Sequence, residues 1–131
     1  MIVLDCSYTM ALVMHNEALP GSLERILAAR LYAPALWPFE VANALRNVVR
    51  RGRLSDAAVS ELCSRIEAYD VQLLAANETN LRGKYVVSQT HDLTAYDAAY
   101  LDMAVQHRYA LATLDTRLAA VAQHIGVEVI C

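Results

Sequence analysis

Short, almost uninterrupted apolar runs, set between segments of helical period, constrain this chain more than any other feature. Met1 to Leu4 is apolar throughout, Tyr109 to Leu114 nearly so, and Val127 to Ile130 is broken only by Glu128. Each run is too short for a helix and lacks the polar alternation of a half-solvated strand, so each predicts a strand buried on both faces. Tyr32 to Leu36 and Val71 to Leu74 are further candidates, the first weakened by Pro34. Strands of this kind separated by helices predict an α/β fold: a central, mainly parallel sheet of about five strands with helices on both faces. A hydrophobic content of 56% suits such a three-layer arrangement.

The segments between the strands read as follows. A short helix includes Met10, Ala11, Leu12 and Met14; His15 to Gly21 is a turn; Ser22 to about Leu31 is a second helix with Leu23, Ile26 and Leu27 facing inward. Pro38 suits a first helical turn, where its missing N–H costs nothing, and Glu40 lies in that turn. Val41, Ala44, Leu45, Val48 and Val49 then repeat at helical spacing until Gly52 closes the helix. Ser55 caps the next, whose apolar face is Val59, Leu62, Cys63, Ile66 and Tyr69. Within Asn77 to Thr90, Leu81, Tyr85 and Val86 suggest a helix distorted near Gly83. Thr94 opens a helix that carries Asp97 on one side and Ala98, Leu101, Ala104 and Val105 on the inner face, and Thr116 to about His124 is the last. Without repeats or a linker, residues 1–131 are expected to form one domain.

Lys and Arg number 11 against 14 Asp and Glu, a formal charge of -3, so contact with nucleic acid has to come from local patches. The densest basic cluster is Arg46, Arg50, Arg51 and Arg53. It suits either a helix C-terminus or an RNA backbone. There is no apolar run of 18 residues, and Asp5 interrupts the N-terminal one early, so neither a membrane span nor a signal peptide is expected. Cys6, Cys63 and Cys131 are odd in number and share no metal-ligand spacing, which fits a reducing cytoplasm.

Four acids stand at special places. Each has an ordinary explanation: Asp5 and Asp115 can cap the helices after their strands, Thr94 and Asp97 have nearly capping-box spacing, and Glu40 can complement a helix N-terminus. Together they say more. In a parallel sheet the carboxyl ends of the strands share one edge, and ligands bind there where neighbouring connections diverge to opposite faces. The first and fourth strands can flank such a point, and all four acids start at that edge. Four carboxylates gathered there repel, and a divalent cation offsets the repulsion. Their hard oxygens suit Mg²⁺ or Mn²⁺, and such ions activate water for attack on a phosphodiester. Asp102 lies about 140° around the helix from Asp97, facing solvent or a partner, and Asp92 is a loop residue.

The order IVLDCS, PFEVANAL, LTAYDAAYLDMA, LATLDTRL and GVEVI resembles a PIN domain, specifically the small stand-alone kind typified by VapC toxins, over almost the whole chain. That resemblance implies a divalent-metal endoribonuclease acting on RNA, often a homodimer, neutralised by a cognate antitoxin. It places the acidic quartet on Asp5, Glu40, Asp97 and Asp115, with the three aspartates on metal and Glu40 on metal or the attacking water. Ser7 and Thr113 match small polar positions of the family motif that can hold an acid or a water in place. Two other classes remain open at this point. Transfer through an aspartyl phosphate on Asp5 would want a second Asp where Ser7 stands, or a lysine elsewhere than Lys84. A dimerising or RNA-binding module with vestigial acids would bind without turnover.

Overall fold

The computed structural model describes residues 1–14, 22–75 and 80–131, so the turn expected at His15 to Gly21 and the start of the segment at Asn77 lie outside the described residues. Five strands are present: β1 (Ile2–Leu4), β2 (Leu31–Pro34), β3 (Gln72–Leu74), β4 (Ala110–Ala112) and β5 (Val129–Ile130). They join in the order β3-β2-β1-β4-β5 with every pairing parallel. Val3 sits opposite Tyr32 on one side and Leu111 on the other. Pro34 is the last residue of β2, beyond its final register pair with β1, so its missing donor takes little from the ladder.

The helices are α1 (Cys6–Val13), α2 (Leu23–Ala28), α3 (Trp37–Arg50), α4 (Asp56–Glu67), α5 (Leu81–His91), α6 (Ala95–His107) and α7 (Thr116–His124). From β1 the chain steps outward to β2 and β3, then returns past β1 to β4 and β5. Right-handed crossovers in these two directions send α1–α4 to one face and α5–α7 to the other. Contacts of α1, α3 and α4 with one another, and of α6 with α5, α7 and strands β1, β2 and β4, agree with that division. The core lies where the central strands meet these layers: Val3, Leu4, Leu111, Ala112, Tyr8, Leu101 and Leu118 are all buried.

Among the helices, three expectations change. α2 ends at Ala28, because Leu31 is taken into β2 opposite Ile2, and Leu27 is 64% exposed rather than inward. α5 runs unbroken through Gly83: that glycine lies in the first turn, where the Asn80 side chain accepts its N–H at 2.6 Å, and a cap offsets the cost of glycine there. Val105 is 46% exposed, and Tyr100 and Met103 join Ala98, Leu101 and Ala104 on the buried face of α6.

α6 ends on Arg108 with φ 58°, in the left-handed region, while the Tyr109 N–H reaches back to the Ala104 carbonyl at 3.0 Å. A Cβ is disfavoured in that conformation and glycine carries none. Arg108→Gly is therefore expected to raise stability by about 0.5–1 kcal/mol, read as a higher urea midpoint with unchanged slope. A lower midpoint would mean that the arginine side chain contributes more than the backbone strain costs.

Candidate active site

β1 and β4 are neighbours whose onward connections leave on opposite faces, so the point between their carboxyl ends is the sheet's switch point. Asp5 follows β1 directly and its N–H pairs with the Ala112 carbonyl of β4 at 3.1 Å. It caps α1: Oδ1 accepts the Tyr8 N–H at 2.8 Å and the Ser7 hydroxyl at 2.7 Å, while Oδ2 accepts the Thr113 hydroxyl. The side chain is 4% exposed. Burial pushes its carboxyl above the usual range, the three hydrogen bonds oppose this, and the Asp97 charge adds to the rise.

Two hydroxyls tie the β1 and β4 ends together. Thr113, fully buried, donates to Asp5 and accepts the Asp115 N–H at 3.0 Å. Ser7 donates to Asp5 and accepts the Leu114 N–H at 3.0 Å. β4 ends at Ala112 rather than at Leu114, so Asp115 stands three residues beyond the strand, capping α7 by accepting the Leu118 N–H at 2.9 Å. A further link starts from Trp37, whose indole N–H donates to Thr9 at 3.0 Å, while Thr9 donates to the Asp5 carbonyl at 2.7 Å. Trp37 is thus a core residue, whereas Phe39 is 77% exposed.

Asp97 is half-buried in the first turn of α6, where the Thr94 hydroxyl accepts its N–H at 3.1 Å. Burial first, then the charges of Asp115 and Glu40, hold its carboxyl above the usual range. Glu40, in the first turn of α3, accepts the Tyr100 hydroxyl on Oε1 at 2.6 Å. The Cys6 thiol is pushed up to about 12 by burial and by the Glu40 and Asp5 charges. The four acids therefore sit near enough to act on one another electrostatically, around one rim.

The arrangement is a ring rather than a closed cage. Among the described residues, no three His, Cys, Asp or Glu side chains already stand where they could share an ion, so ligation asks some of them to turn inward. The donor chemistry fits a hard divalent cation: every candidate ligand is a carboxylate, and the mutual repulsion at Asp5 and Asp97 is the kind a cation relieves.

Other sequence candidates stand elsewhere. Arg46 and Arg50 are exposed on the far part of α3 and Arg51 is exposed at its C-cap, and Arg50 is about 15 Å down the helix axis from Glu40. Asp102 accepts from Gln106 at 2.8 Å and lines an apolar cleft of about 220 Å³ between α5 and α6, which none of the four acids lines. Asp92 pairs with Arg117, whose guanidinium also reaches the Asp92 carbonyl at 2.7 Å and so ties the loop before α6 to α7. Sequence reasoning passed over Tyr100, Thr9 and Arg117. For Tyr100 a signal was present, since a residue three beyond Asp97 shares its side of a helix.

Comparison with known proteins agrees with this scaffold. The family model of the PIN domain matches residues 2–124. A VapC ribonuclease of Mycobacterium bovis is 31% identical over 126 residues, covering 94% of this chain and 92% of that protein. Ribonuclease VapC3 of Pyrobaculum aerophilum is 29% identical over 120 residues, covering 90% and 92%. A crystal structure from Pyrobaculum aerophilum superposes with a TM-score of 0.73 at 25% identity, over 98% of this chain and 82% of that one. That of FitAcB from Neisseria gonorrhoeae shares the fold at a TM-score of 0.64 and 22% identity, over 100% and 97%. With its parallel sheet, its rim of acids and a match from β1 to the end of α7, this chain belongs to the PIN domain family.

Proposed function

We propose that the chain is a divalent-metal-dependent endoribonuclease and the toxin of a toxin–antitoxin pair, with RNA as substrate, a cognate antitoxin protein as inhibitor and a second copy of the chain as partner in a homodimer. The observation that carries the reading is the convergence of Asp5, Glu40, Asp97 and Asp115 on the β1/β4 switch point. The relatives that carry the name ribonuclease support it over aspartyl-phosphate transfer, as does Lys84, the chain's one lysine, which lines the α5/α6 cleft instead of the acid rim. Among the described residues no helix is long and apolar enough to cross a membrane, and Cys6, Cys63 and Cys131 are free thiols. The cytoplasm is the compartment that this reading assigns.

In this mechanism Asp5, Asp97 and Asp115 hold Mg²⁺ or Mn²⁺, and Glu40 binds the ion or orients the attacking water. The ion, when bound, lowers the pKa of that water and neutralises charge on the leaving oxygen. The chain's own contribution is placement. Asp5 is fixed by the Ser7 and Thr113 hydroxyls and the Tyr8 N–H, so its lone pairs are aimed before substrate arrives. Asp97 is held at the start of α6 by Thr94, whose hydroxyl accepts its N–H. Phe39 and Tyr96, 77% and 62% exposed, directly precede Glu40 and Asp97 and offer faces on which unpaired bases can stack. Arg46, Arg50 and Arg51 serve phosphates several nucleotides from the scissile bond, giving affinity without sequence.

Cleavage of total cellular RNA by the purified chain tests the reading. Discrete fragments are expected with Mn²⁺, and a chelator in excess is expected to suppress them at least about a hundredfold, since the ion supplies several kcal/mol of charge stabilisation. Cleavage that persists in chelator would refute the metal-dependent mechanism.

A further inference from the structure

Two acids of the rim are joined by Thr113 and Ser7, which connect the Asp5 carboxylate to the turn that carries Asp115. The other two, Glu40 and Asp97, stand on different helices from opposite layers of the fold. One side chain spans them. Tyr100 is 1% exposed on α6, three residues beyond Asp97, and its hydroxyl meets Oε1 of Glu40 at 2.6 Å across 60 positions of sequence. An ionised carboxylate only accepts, so the phenol is the donor. The distance is that of a charge-assisted O–H···O⁻ bond, about 2.5–2.7 Å. Among the described residues the Glu40 carboxylate accepts nothing else, which leaves Oε2 open.

α6 is well placed to act as a fixed reference. It packs on β1, β2 and β4, with Ala98, Leu101 and Ala104 buried beneath it. Residues three apart on a helix are neighbours on its surface, so the turn that presents Asp97 also presents the hydroxyl that holds Glu40. From this geometry we infer that Tyr100 is a positioning residue: it sets Glu40 at a fixed distance from Asp97 and commits Oε1, so that Glu40 meets the ion or its water through Oε2 alone. The inference rests on the metal-site reading above. The competing account is that Tyr100 fills the core and its hydroxyl merely finds a partner.

Mn²⁺ binding by the purified full chain, measured by calorimetry without RNA, separates these accounts. Tyr100→Phe keeps the ring and removes the hydroxyl, and is expected to weaken Mn²⁺ binding about tenfold, the lower end of what outer partners of metal ligands contribute. In a Glu40→Gln background the same change is expected to add nothing, because the two act as one unit. Glu40→Asp leaves the core untouched but shortens the acid out of the phenol's reach, and is expected to weaken binding similarly. Wild-type affinity in Tyr100→Phe or in Glu40→Asp, or an equal further loss in the Glu40→Gln background, would overturn the inference alone. A wild-type chain whose Mn²⁺ binding does not depend on Asp97 would overturn the metal-site reading, and this inference with it.

Discussion

Asp97→Asn is expected to lower the rate of RNA cleavage about a thousandfold, roughly the several kcal/mol that a correctly held divalent ion contributes. Asparagine has the same shape and cannot act as an anionic ligand. Its effect on stability should run the other way. Burial and the charges of Asp115 and Glu40 disfavour the ionised form of the Asp97 carboxylate and outweigh the opposing hydrogen bond from the Thr94 side chain. Removing the charge therefore relieves the metal-free protein, so its melting temperature should rise while activity falls. The pH dependence follows with the same sign. A carboxyl whose folded pKa lies above its ordinary 3.8 binds more protons in the native state within that window, so stability falls as pH rises through it. The metal-free chain should thus become more stable on mild acidification, Asp97→Asn should flatten that response, and Mn²⁺ should raise the wild-type melting temperature at neutral pH while leaving the variant nearly unmoved. Cleavage by Asp97→Asn at the wild-type rate would remove Asp97 from the site.

Much of the scaffold is written locally and can be read from the residues. Runs such as Ile2–Leu4 and Ala110–Ala112 are apolar at every position because both faces are covered, and this gives strand and parallel pairing at once. Helix starts are equally local. Asp5, Ser55, Thr94 and Asp115 all accept a backbone N–H three residues on, which is why an acid at a strand end and a helix cap coincide at Asp5 and Asp115. The same coincidence makes each acid ambiguous when taken singly, and only the sheet order, which puts β1 beside β4, brings their edge together.

What escaped reading was set by distance along the chain. The exposure of Leu27 follows from where β2 begins, which is decided by pairing with Ile2 and not by the helical period of α2. The bond from Tyr100 to Glu40 joins residues whose neighbours carry no mark of one another, and the same is true of Trp37 and Thr9. A tyrosine at a buried helical position looks like packing until the partner of its hydroxyl is known. Ser7 and Thr113 show the middle case: family resemblance marks the positions, whereas the structure supplies their partners, the Asp5 carboxylate and the N–H groups of Leu114 and Asp115.

Thr113 gives the second large effect. Valine matches its shape, so Thr113→Val leaves no cavity, but it removes the donor to the buried Asp5 Oδ2 and the acceptor for the partly buried Asp115 N–H. Each polar group orphaned in this way costs about 1–3 kcal/mol, so a total of about 2–4 kcal/mol is expected. For a chain of this length that is a fall in melting temperature of roughly 10 °C. Asp5 also loses its aim, and about a ten- to hundredfold loss of Mn²⁺ affinity and cleavage should accompany the melting change. Thr113→Ser separates the two contributions: it keeps the hydroxyl and gives up one buried methyl, worth about 1 kcal/mol, so it should melt somewhat early and yet bind Mn²⁺ as the wild type does. If valine and serine prove equal in Mn²⁺ affinity, the hydroxyl does not orient Asp5, and the bond between them stabilises the fold without serving the site.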